Sequence, residues 1–122
     1  IYRGRTLTIY GDGEQTRDFT YVADAIEANI LALRLPPLSD WRVWNIGGGS
    51  RVSINEVVAL LEQIMGRRAI LKHVTPQHGD VRHTWADVSA AKRDLGFKPD
   101  TGLEEGLRAQ VSWQIGQMEQ AV

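Results

Sequence analysis

The sequence predicts an α+β fold that combines a small mixed sheet with about four helices. Three observations lead to this prediction. Short β-branched and aromatic stretches alternate with stretches whose apolar residues recur at helical spacing, and the helical stretches carry capping signals. The connections between these stretches are short. The chain has 122 residues, of which 43% are hydrophobic, and we expect one domain, residues 1–122, with a substantial core.

Four stretches have the composition of strands. β-branched, aliphatic or aromatic residues dominate in each, namely TLTIY at 6–10, DFTYV at 18–22, RVWNI at 42–46 and AILKHV at 69–74. The first two are separated by a Gly-rich connection. This arrangement predicts that they form a hairpin with a long loop.

The first two helices are predicted from their ends. A helix over 24–35 begins with a pair that is typical of a capping box, Asp24 and Glu27. The stretch LPPLSD ends it, because Pro36 and Pro37 cannot continue a helix. A second helix, in SINEVVALLEQIMG, has a capping box of Ser53 and Glu56 and a C-terminal stop at Gly66.

Two further helices follow in the last third of the chain. The first lies in DVSAAKRDLG and is closed by Gly96. The second opens with a capping box of Thr101 and Glu104. Its apolar stripe consists of Leu103, Leu107, Val111, Ile115 and Met118.

Composition excludes several function classes. With 14 basic and 15 acidic residues, the net charge of −1 gives no overall attraction to nucleic acid or anionic membranes. The chain has no cysteine, which removes disulfides and thiolate chemistry. It has no apolar run of about 18 residues and no signal-peptide pattern, so we expect a cytoplasmic protein. The stretch that begins at Ile1 has the pattern of the middle of a secondary-structure element. We therefore expect the sequence to be a piece of a longer chain.

The Gly-rich loop GDGEQTRDF permits two interpretations. Arg17 lies where the loop meets a β-branched stretch, and a guanidinium offers a planar set of donors that fits phosphate. Gly11 and Gly13 would let the backbone approach a ligand closely. The alternative is a plain hairpin in which Arg17 forms a surface ion pair with an acid of the same loop, Asp12, Glu14 or Asp18.

A second Gly-rich stretch, NIGGGSRVSINE, follows a predicted strand and precedes a predicted helix, as a dinucleotide-binding turn does. The fingerprint G-x-G-x-x-G requires glycine at position 52, where this chain has Val52. An acid about 20 residues further on is also missing. We therefore interpret the stretch as a strand-to-helix turn whose backbone is fixed by Asn45.

The third polar stretch is HGDVRHTWAD at 78–87. Its histidines and acids match no familiar metal-ligand spacing, so we predict no metal site. It also gives no serine–histidine–acid arrangement. Arg82 and Asp80 could hold a phosphate and a sugar hydroxyl of one ligand. The alternative is a solvated loop with a local ion pair between Asp80 and Arg82.

Taken together, three stretches in this order resemble one known family. LTIYGDGEQTRDFTYVADAIEANILAL, WNIGGGSRVSINEVVALLEQIMG and GDVRHTWADVSAAKRDLGFKPDTGLEEGLRAQVSW are similar to the C-terminal portion of the extended short-chain dehydrogenases/reductases, and most of all to UDP-sugar 4-epimerases. The family comprises the NAD-dependent nucleotide-sugar epimerases and dehydratases. The resemblance covers almost the whole chain. It implies the C-terminal lobe of such an enzyme without its Rossmann half.

The resemblance also implies roles for individual residues. The arginine of the RDF motif contacts the diphosphate in the family, which implies this role for Arg17. The backbone at IYGD borders the uracil, which implies contacts from Thr8, Ile9 and Tyr10. The acid of the GD motif approaches the ribose, which implies this role for Asp80.

The sequence departs from the family at three points. Gln77 stands where many members carry a second phosphate-binding arginine, so either Arg82 substitutes for it or the diphosphate is held less tightly. Thr84 stands where a residue limits the size of the sugar pocket, and threonine leaves room for a bulky substituent. The NAD fingerprint and the Tyr-x-x-x-Lys pair are missing, so we expect no catalytic residue and no bound NAD in this chain, although the parent enzyme would use NAD.

Two hypotheses about function follow. In the first, the chain is the substrate-binding lobe of an NAD-dependent epimerase or dehydratase and binds the diphosphate and sugar of a UDP-sugar or dTDP-sugar. In the second, it is a structural or interaction module that binds no ligand. In the family, RVWNI joins the sheet of the Rossmann half. We therefore expect an open strand edge that pairs with that half or with a second copy of the chain.

Overall fold

The fold is an α+β arrangement of four helices and four short strands, as predicted. A computed structural model describes residues 1–36 and 40–120. The strands are β1 (Leu7–Tyr10), β2 (Thr16–Arg17), β3 (Val52–Ser53) and β4 (Leu71–Val74). The helices are α1 (Val22–Leu33), α2 (Ile54–Met65), α3 (Ser89–Leu95) and α4 (Leu103–Gln120). No helix within the described residues is both long enough and apolar enough to cross a membrane.

The strands pair in two small sheets. β1 runs parallel to β4, with Leu7 opposite Leu71 and Tyr10 opposite Val74. β2 pairs antiparallel with β3. A parallel pair needs a long connection, and β1 and β4 are joined by all of the chain between them, including α1 and α2.

The predicted hairpin between 6–10 and 18–22 is wrong. β1 pairs with β4, and residues 18–22 form no strand within the described part of the chain. Val22 already begins α1. The cause is tertiary, because the Asp18 carboxylate accepts hydrogen bonds from the N–H groups of Gly48 and Ala86, at 2.8 and 3.4 Å. These contacts override the local β propensity of the stretch.

The predicted start and stop of α2 are confirmed. The Ser53 hydroxyl accepts from the N–H of Glu56 at 3.1 Å, and the Glu56 carboxylate accepts from the N–H of Ser53 at 2.7 Å. Hydrogen bonds to the Glu56 carboxylate, first from the Ser53 backbone N–H and then from the Ser53 side chain, hold the pKa of Glu56 below its ordinary value. Gly66 closes α2 and Gly96 closes α3, both in the left-handed conformation that glycine favours.

The predicted capping box of Asp24 and Glu27 is wrong. α1 begins two residues earlier, with Tyr21 as its N-cap and no side-chain capping bond. Asp24 lies within the first turn and is buried, with 6% of its surface exposed. It accepts hydrogen bonds from the N–H groups of Asp100 and Thr101, at 3.2 and 3.3 Å. Asp24 therefore ties α1 to the segment that precedes α4.

The contact between Asp24 and the segment before α4 also bears on where α4 begins, which differs from the prediction. The Thr101 hydroxyl also donates to Asp24, at 3.3 Å, and α4 begins at Leu103 and not directly after Thr101 as a Thr101–Glu104 box requires. The predicted apolar stripe of α4 is confirmed. All five of its residues are half-buried, and α4 packs against α2: Leu103, Leu107, Val111, Ile115 and Met118.

The buried core lies between α1 and α3. Its members share almost complete burial and are Ala28, Ala91, Leu95 and Phe97. Trp44 and Ile46 pack against this cluster, and the indole N–H of Trp44 donates to the Asp94 carboxylate at 3.1 Å.

α1 ends at Leu33, before Pro36, as predicted. Pro37 lies outside the described residues.

The stretch 42–46 is not a strand in this chain. Within residues 1–36 and 40–120 no strand pairs with it. Its side chains nevertheless alternate, because Trp44 and Ile46 face the core while Trp41 and Val43 are 102% and 88% exposed. The stretch has the side-chain pattern of a strand and lacks a neighbour with which to form a ladder.

Replacing Asp24 by alanine should lower the free energy of unfolding by about 1–2 kcal/mol, because the N–H groups of Asp100 and Thr101 lose their acceptor. Urea unfolding followed by circular dichroism measures the change. Glu27→Ala is the matched control, since Glu27 is an exposed acid of the same helix. Equal stability of the two variants would contradict the role of Asp24.

The stability contributed by Asp94 should depend on pH. The hydrogen bond from Trp44, followed by Arg93, holds the pKa of Asp94 below its ordinary value. A lowered carboxylate pKa stabilises the fold above the unfolded pKa of about 3.9, and this contribution is lost as the pH falls through the folded pKa. The melting temperature of wild type should therefore exceed that of Asp94→Asn at pH 7, and the difference should shrink in acid.

Asp40→Asn serves as the control for this experiment, because Asp40 is exposed. It should melt with wild type throughout the pH range. A difference between wild type and Asp94→Asn that stayed constant down to about pH 2.5 would show that the Asp94 charge does not stabilise the fold.

Candidate functional site

A cleft opens where the two parallel strands end. β1 and β4 finish side by side at Tyr10 and Val74, and the cleft beyond them has a volume of about 580 Å³. Open sheets with parallel strands bind ligands at the carboxyl ends of those strands. Ten residues line the cleft: Tyr10, Gly11, Asp12, Gln15, His73, Val74, Pro76, Asp80, Val81 and Arg82.

The loop over residues 11–15 forms one wall of the cleft and is held by the start of α2. The Asn55 side chain donates to the Asp12 carbonyl at 3.0 Å and to the Glu14 carboxylate at 2.6 Å. Gly13 has a φ of 80°, and a Cβ there would lie 2.1 Å from the Asn55 side chain. Glycine at position 13 therefore allows both the turn and the close contact with α2.

A second wall is formed by residues 80–82, and residues 82–84 run alongside β2. The N–H of Thr16 donates to the Arg82 carbonyl at 2.9 Å, and the N–H of Thr84 donates to the Thr16 carbonyl at 3.1 Å. The Thr16 hydroxyl and His83 Nδ1 are also in hydrogen-bond contact, at 2.8 Å. This pairing brings two stretches that are distant in sequence to the same cleft.

Two ion pairs join these segments. Arg17 Nη2 contacts the Asp80 carboxylate, and Arg17 Nη1 donates to the Thr16 carbonyl at 2.8 Å. Arg82 Nη1 lies 3.0 Å from each oxygen of Asp12. The pKa of Asp12 is lowered, first by the N–H of Glu14 and then by Arg82. The two guanidinium groups at the cleft are thus balanced by two carboxylates.

These pairs differ from both ion pairs considered from the sequence. Arg17 does not pair with an acid of its own loop, and Asp80 does not pair with Arg82. Each arginine instead reaches a carboxylate of the other segment. The difference arises because β2 and residues 80–84 lie side by side, which local sequence does not reveal.

The structure brings some of the predicted site residues together. Tyr10, Asp80 and Arg82 line the cleft, and Arg17 adjoins it through its contact with Asp80. Arg17 itself is not a lining residue, and 26% of its side chain is exposed.

The remaining predicted residues lie outside the cleft lining. Thr8 and Ile9 precede Tyr10 on β1, Thr8 exposed and Ile9 buried. Gln77 lies in the exposed turn before Asp80, whose N–H donates to the Gln77 carbonyl at 3.1 Å. Thr84 lines a different cavity.

That second cavity has a volume of about 340 Å³ and lies around Asp18. Besides Asp18 and Thr84, it is lined by Thr20, Asn45, Ile46, Gly47, Trp85 and Ala86. The Asp18 carboxylate, and not Asn45 as expected, binds the backbone of the 47–49 turn. One side chain therefore connects three stretches: the loop that carries Arg17, the Gly-rich turn and the segment after Thr84.

Two glycines of the Gly-rich turn lie against other parts of the chain. A Cβ at Gly47 would lie 2.4 Å from the Asp18 carboxylate, and one at Gly48 would lie 2.1 Å from the Phe19 carbonyl. The close approaches at Gly47 and Gly48 are thus made to the chain itself. Within the described residues, no group of three or more acidic or histidine side chains could hold a metal ion.

Four residues that have a part in the site were not predicted as site residues from the sequence. Asp12 and His73 line the cleft, Asn55 holds its loop, and Asp18 joins the three motifs. The His73 Nδ1 is 2.9 Å from the Gly11 carbonyl and donates to it, because a carbonyl can only accept. The position of His73 near the end of a predicted strand could have indicated its place at the cleft. Asp12, Asn55 and Asp18 take part through contacts between segments that are distant in the sequence.

Comparison with known proteins places the chain in a family. The family model of GDP-mannose 4,6 dehydratase matches residues 1–110. The UDP-glucuronate 4-epimerase of Thermodesulfobacterium geofontis (strain OPF15) is 38% identical over 120 residues, which are 98% of this chain and 36% of that protein. The uncharacterized UDP-glucose epimerase YtcB of Bacillus subtilis (strain 168) is 42% identical over 109 residues, 89% of this chain and 34% of its own.

Solved structures are also similar to this chain. MoeE5 in complex with UDP-glucuronic acid and NAD is 43% identical with a TM-score of 0.89, covering 94% of this chain and 38% of that one. The UDP-glucuronic acid 4-epimerase of Bacillus cereus, in complex with UDP-glucuronic acid and NAD, is 38% identical with a TM-score of 0.88, covering 96% and 37%.

The chain therefore spans little more than a third of the length of these relatives, as the coverage of 36% and 38% shows. The part that it matches is the C-terminal part of the epimerases. Because the family model matches residues 1–110 and the fold agrees with it, the chain belongs to the GDP-mannose 4,6-dehydratase family, among the NAD-dependent nucleotide-sugar epimerases and dehydratases of the extended short-chain dehydrogenase/reductase group.

Proposed function

We propose that residues 1–122 form a nucleotide-sugar-binding domain of an NAD-dependent epimerase or dehydratase. The observation that carries the proposal is the cleft at the carboxyl ends of β1 and β4, where Tyr10, Asp80 and Arg82 meet and which Arg17 adjoins. The cleft joins an apolar strand end to a rim of charged side chains. A nucleoside diphosphate has the same division into an apolar base and a charged tail.

The proposed ligand lies with its base against β1 and its diphosphate toward the arginines. The backbone of Thr8, Ile9 and Tyr10 borders the base. Arg17 binds the diphosphate, and Arg82 takes the place of the second arginine for which this chain has Gln77. A guanidinium suits this role because it donates two parallel hydrogen bonds to phosphate.

Asp80 and Thr84 complete the proposed site. Asp80 lines the cleft and contacts Arg17, and from this position its carboxylate accepts from the hydroxyl groups of a ribose. Thr84 lies in the neighbouring cavity, which is the proposed location of the sugar.

The nature of the ligand is proposed from the relatives. MoeE5 is described with UDP-glucose and with UDP-glucuronic acid, and a UDP-N-acetylglucosamine 4-epimerase of Methanobrevibacter ruminantium M1 with UDP-N-acetylmuramic acid. A dTDP-glucose 4,6-dehydratase of Bacillus anthracis also matches, at 28% identity with a TM-score of 0.83. We therefore propose a UDP-sugar as the ligand, with a dTDP-sugar as the alternative.

Catalysis is proposed to reside in other parts of the enzyme. The tyrosines of this chain are Tyr2, Tyr10 and Tyr21, and none is followed by lysine four residues later. The Gly-rich turn has Val52 where an NAD fingerprint requires glycine, so neither a proton donor of the Tyr-x-x-x-Lys type nor a hydride carrier is assigned to this chain. Its residues would bind and orient the nucleotide sugar.

Affinity of the isolated chain should be low. An ion pair at 4 Å yields about 1 kcal/mol in water and about 4 kcal/mol near a protein surface. Both arginines are already paired with carboxylates, so a diphosphate must replace existing contacts. A dissociation constant of about 1 mM already requires about 4 kcal/mol. The expected dissociation constant for UDP is therefore about millimolar or weaker.

Titration with UDP and UDP-N-acetylglucosamine, followed by amide NMR shifts, tests the proposal. Shifts should be concentrated at Tyr10, Gly11 and the segment from Asp80 to Thr84. Arg17→Ala should weaken UDP binding about fivefold or more, since a charge-assisted hydrogen bond contributes about 1.5–3 kcal/mol before competition with Asp80.

Arg108→Ala is the matched control, because Arg108 is an exposed arginine that pairs with Glu104 on α4. It should bind UDP as wild type does. Shifts spread evenly over the surface, or equal affinity of Arg17→Ala and Arg108→Ala, would overturn the proposed site.

We also propose that the chain has a docking surface for the remainder of the enzyme. Val22, Ile26 and Leu33 lie on one face of α1, 60%, 53% and 84% exposed. Trp41 and Val43 lie on the outer side of the neighbouring 41–46 stretch, which has no strand partner in the described part of the chain. An apolar face beside an open edge is typical of an interface. This observation also favours the alternative function, an interaction module.

In the absence of the remaining parts of the enzyme, this surface should pair with a second copy. Sedimentation equilibrium at increasing concentration should show dimers or larger species. Val43→Lys should weaken the association about tenfold or more, because a buried lysine costs at least about 1.4 kcal/mol.

Val81→Lys is the control for self-association, because Val81 is also an exposed valine, 56% accessible, but lies at the cleft. It should associate as wild type does. A wild-type chain that stays monomeric at high concentration would contradict the proposed edge pairing.

A further inference from the structure

The polar side chains at the cleft are paired with one another before any ligand binds. Arg17 contacts Asp80, and Arg82 contacts Asp12. The carboxylate of Asp80 is 36% exposed and lines the cleft, whereas Arg17 reaches the cleft only through it. Any anion that approaches Arg17 from the cleft therefore competes with the Asp80 carboxylate for the same guanidinium.

From this pairing we infer that Asp80 makes the site selective for phosphates that carry a hydroxyl group nearby and disfavours bare inorganic phosphate and pyrophosphate. The inference rests on the proposed function and deepens it. Asp80 would thus disfavour the binding of bare phosphates in addition to binding the ribose of the nucleotide sugar.

The Asp80 carboxylate loses its partner when an anion binds Arg17. A bare phosphate that takes Arg17 leaves Asp80 without its partner and brings a second negative charge next to it, which is unfavourable at short range. The phosphate of a nucleotide also takes Arg17 from Asp80, but the nucleotide presents ribose hydroxyls as well. These donate to the released carboxylate and replace the lost contact.

Within the described residues, no second guanidinium is paired with Asp80. Arg82, two residues away, is held by both oxygens of Asp12, at 3.0 Å each. The backbone N–H of Asp80 already donates to the Gln77 carbonyl. Release of Arg17 therefore leaves the partly exposed carboxylate to water, and a ligand hydroxyl held beside it can take the place of that water as a donor.

The geometry also suits an exchange of partners. Arg17 keeps one bond to the Thr16 carbonyl through Nη1 while Nη2 contacts Asp80. The guanidinium is therefore anchored on β2 independently of Asp80. A phosphate can replace the Asp80 contact at Nη2 without moving the arginine from its strand.

Three probes separate the effects: pyrophosphate, UDP and 2′,3′-dideoxy-UDP, the last having the same base and phosphates without the ribose hydroxyls. Dissociation constants are measured by NMR titration of the full chain at about pH 7.5 and constant ionic strength. Wild type should bind UDP about threefold or more tightly than 2′,3′-dideoxy-UDP.

In Asp80→Asn, pyrophosphate should bind about threefold more tightly than to wild type, because Arg17 is released from a partly exposed ion pair. The affinity for UDP should rise less than the affinity for pyrophosphate does. The preference for UDP over 2′,3′-dideoxy-UDP should become smaller. The backbone bonds between Thr16 and the residues 82 and 84 hold the cleft wall without the Asp80 side chain, and amide spectra establish that the variant is folded.

Glu105→Gln is the matched control. It also removes one negative charge, but Glu105 is an exposed acid of α4 that does not line the cleft. Pyrophosphate affinity should stay within about 1.5-fold of wild type. An equal gain in Glu105→Gln and Asp80→Asn would show a general charge effect and overturn the inference.

The outcomes also separate this inference from the proposed function. UDP binding at the cleft with unchanged pyrophosphate affinity in Asp80→Asn would overturn the selectivity role alone. Absence of UDP binding by wild type and both variants would overturn the proposed function, and the inference with it.

Discussion

The candidate site depends on the parallel pairing of β1 with β4. This four-residue ladder, from Leu7 opposite Leu71 to Tyr10 opposite Val74, makes two distant parts of the chain end at the same point. The chain after β1 turns at Gly11, whose N–H donates to the Val74 carbonyl at 2.9 Å. A cleft forms there because both strands end, and the segments that follow them line it. An antiparallel hairpin, as the local pattern suggested, would have produced no such cleft.

The Asp18 carboxylate fixes the second part of the architecture. It binds backbone N–H groups of the Gly-rich turn and of the segment after Thr84, and so holds three motifs together. Glycine is required at 47 and 48 because the carboxylate and the Phe19 carbonyl occupy the space of their side chains. Packing inside the protein thus explains the glycines of this turn.

The charges at the cleft show why composition alone said little about the ligand. The chain is nearly neutral overall, and the cleft itself has two arginines matched by two carboxylates. Such a site attracts anions weakly at long range and acts through exchange of partners at short range. Exposed apolar side chains on α1 and at Trp41 and Val43 form another part of the surface.

The sequence by itself determined the elements whose signals are local. The capping box of Ser53 and Glu56, the stops at Gly66 and Gly96, the stripe of α4 and the family motifs were all predicted, because the interacting groups lie within a few residues of one another. Tertiary structure alone decided the pairing of β1 with β4, the role of Asp24 and the partners of Arg17 and Arg82. Each of these joins residues more than 60 positions apart, and such contacts follow from how the elements pack and not from local propensity.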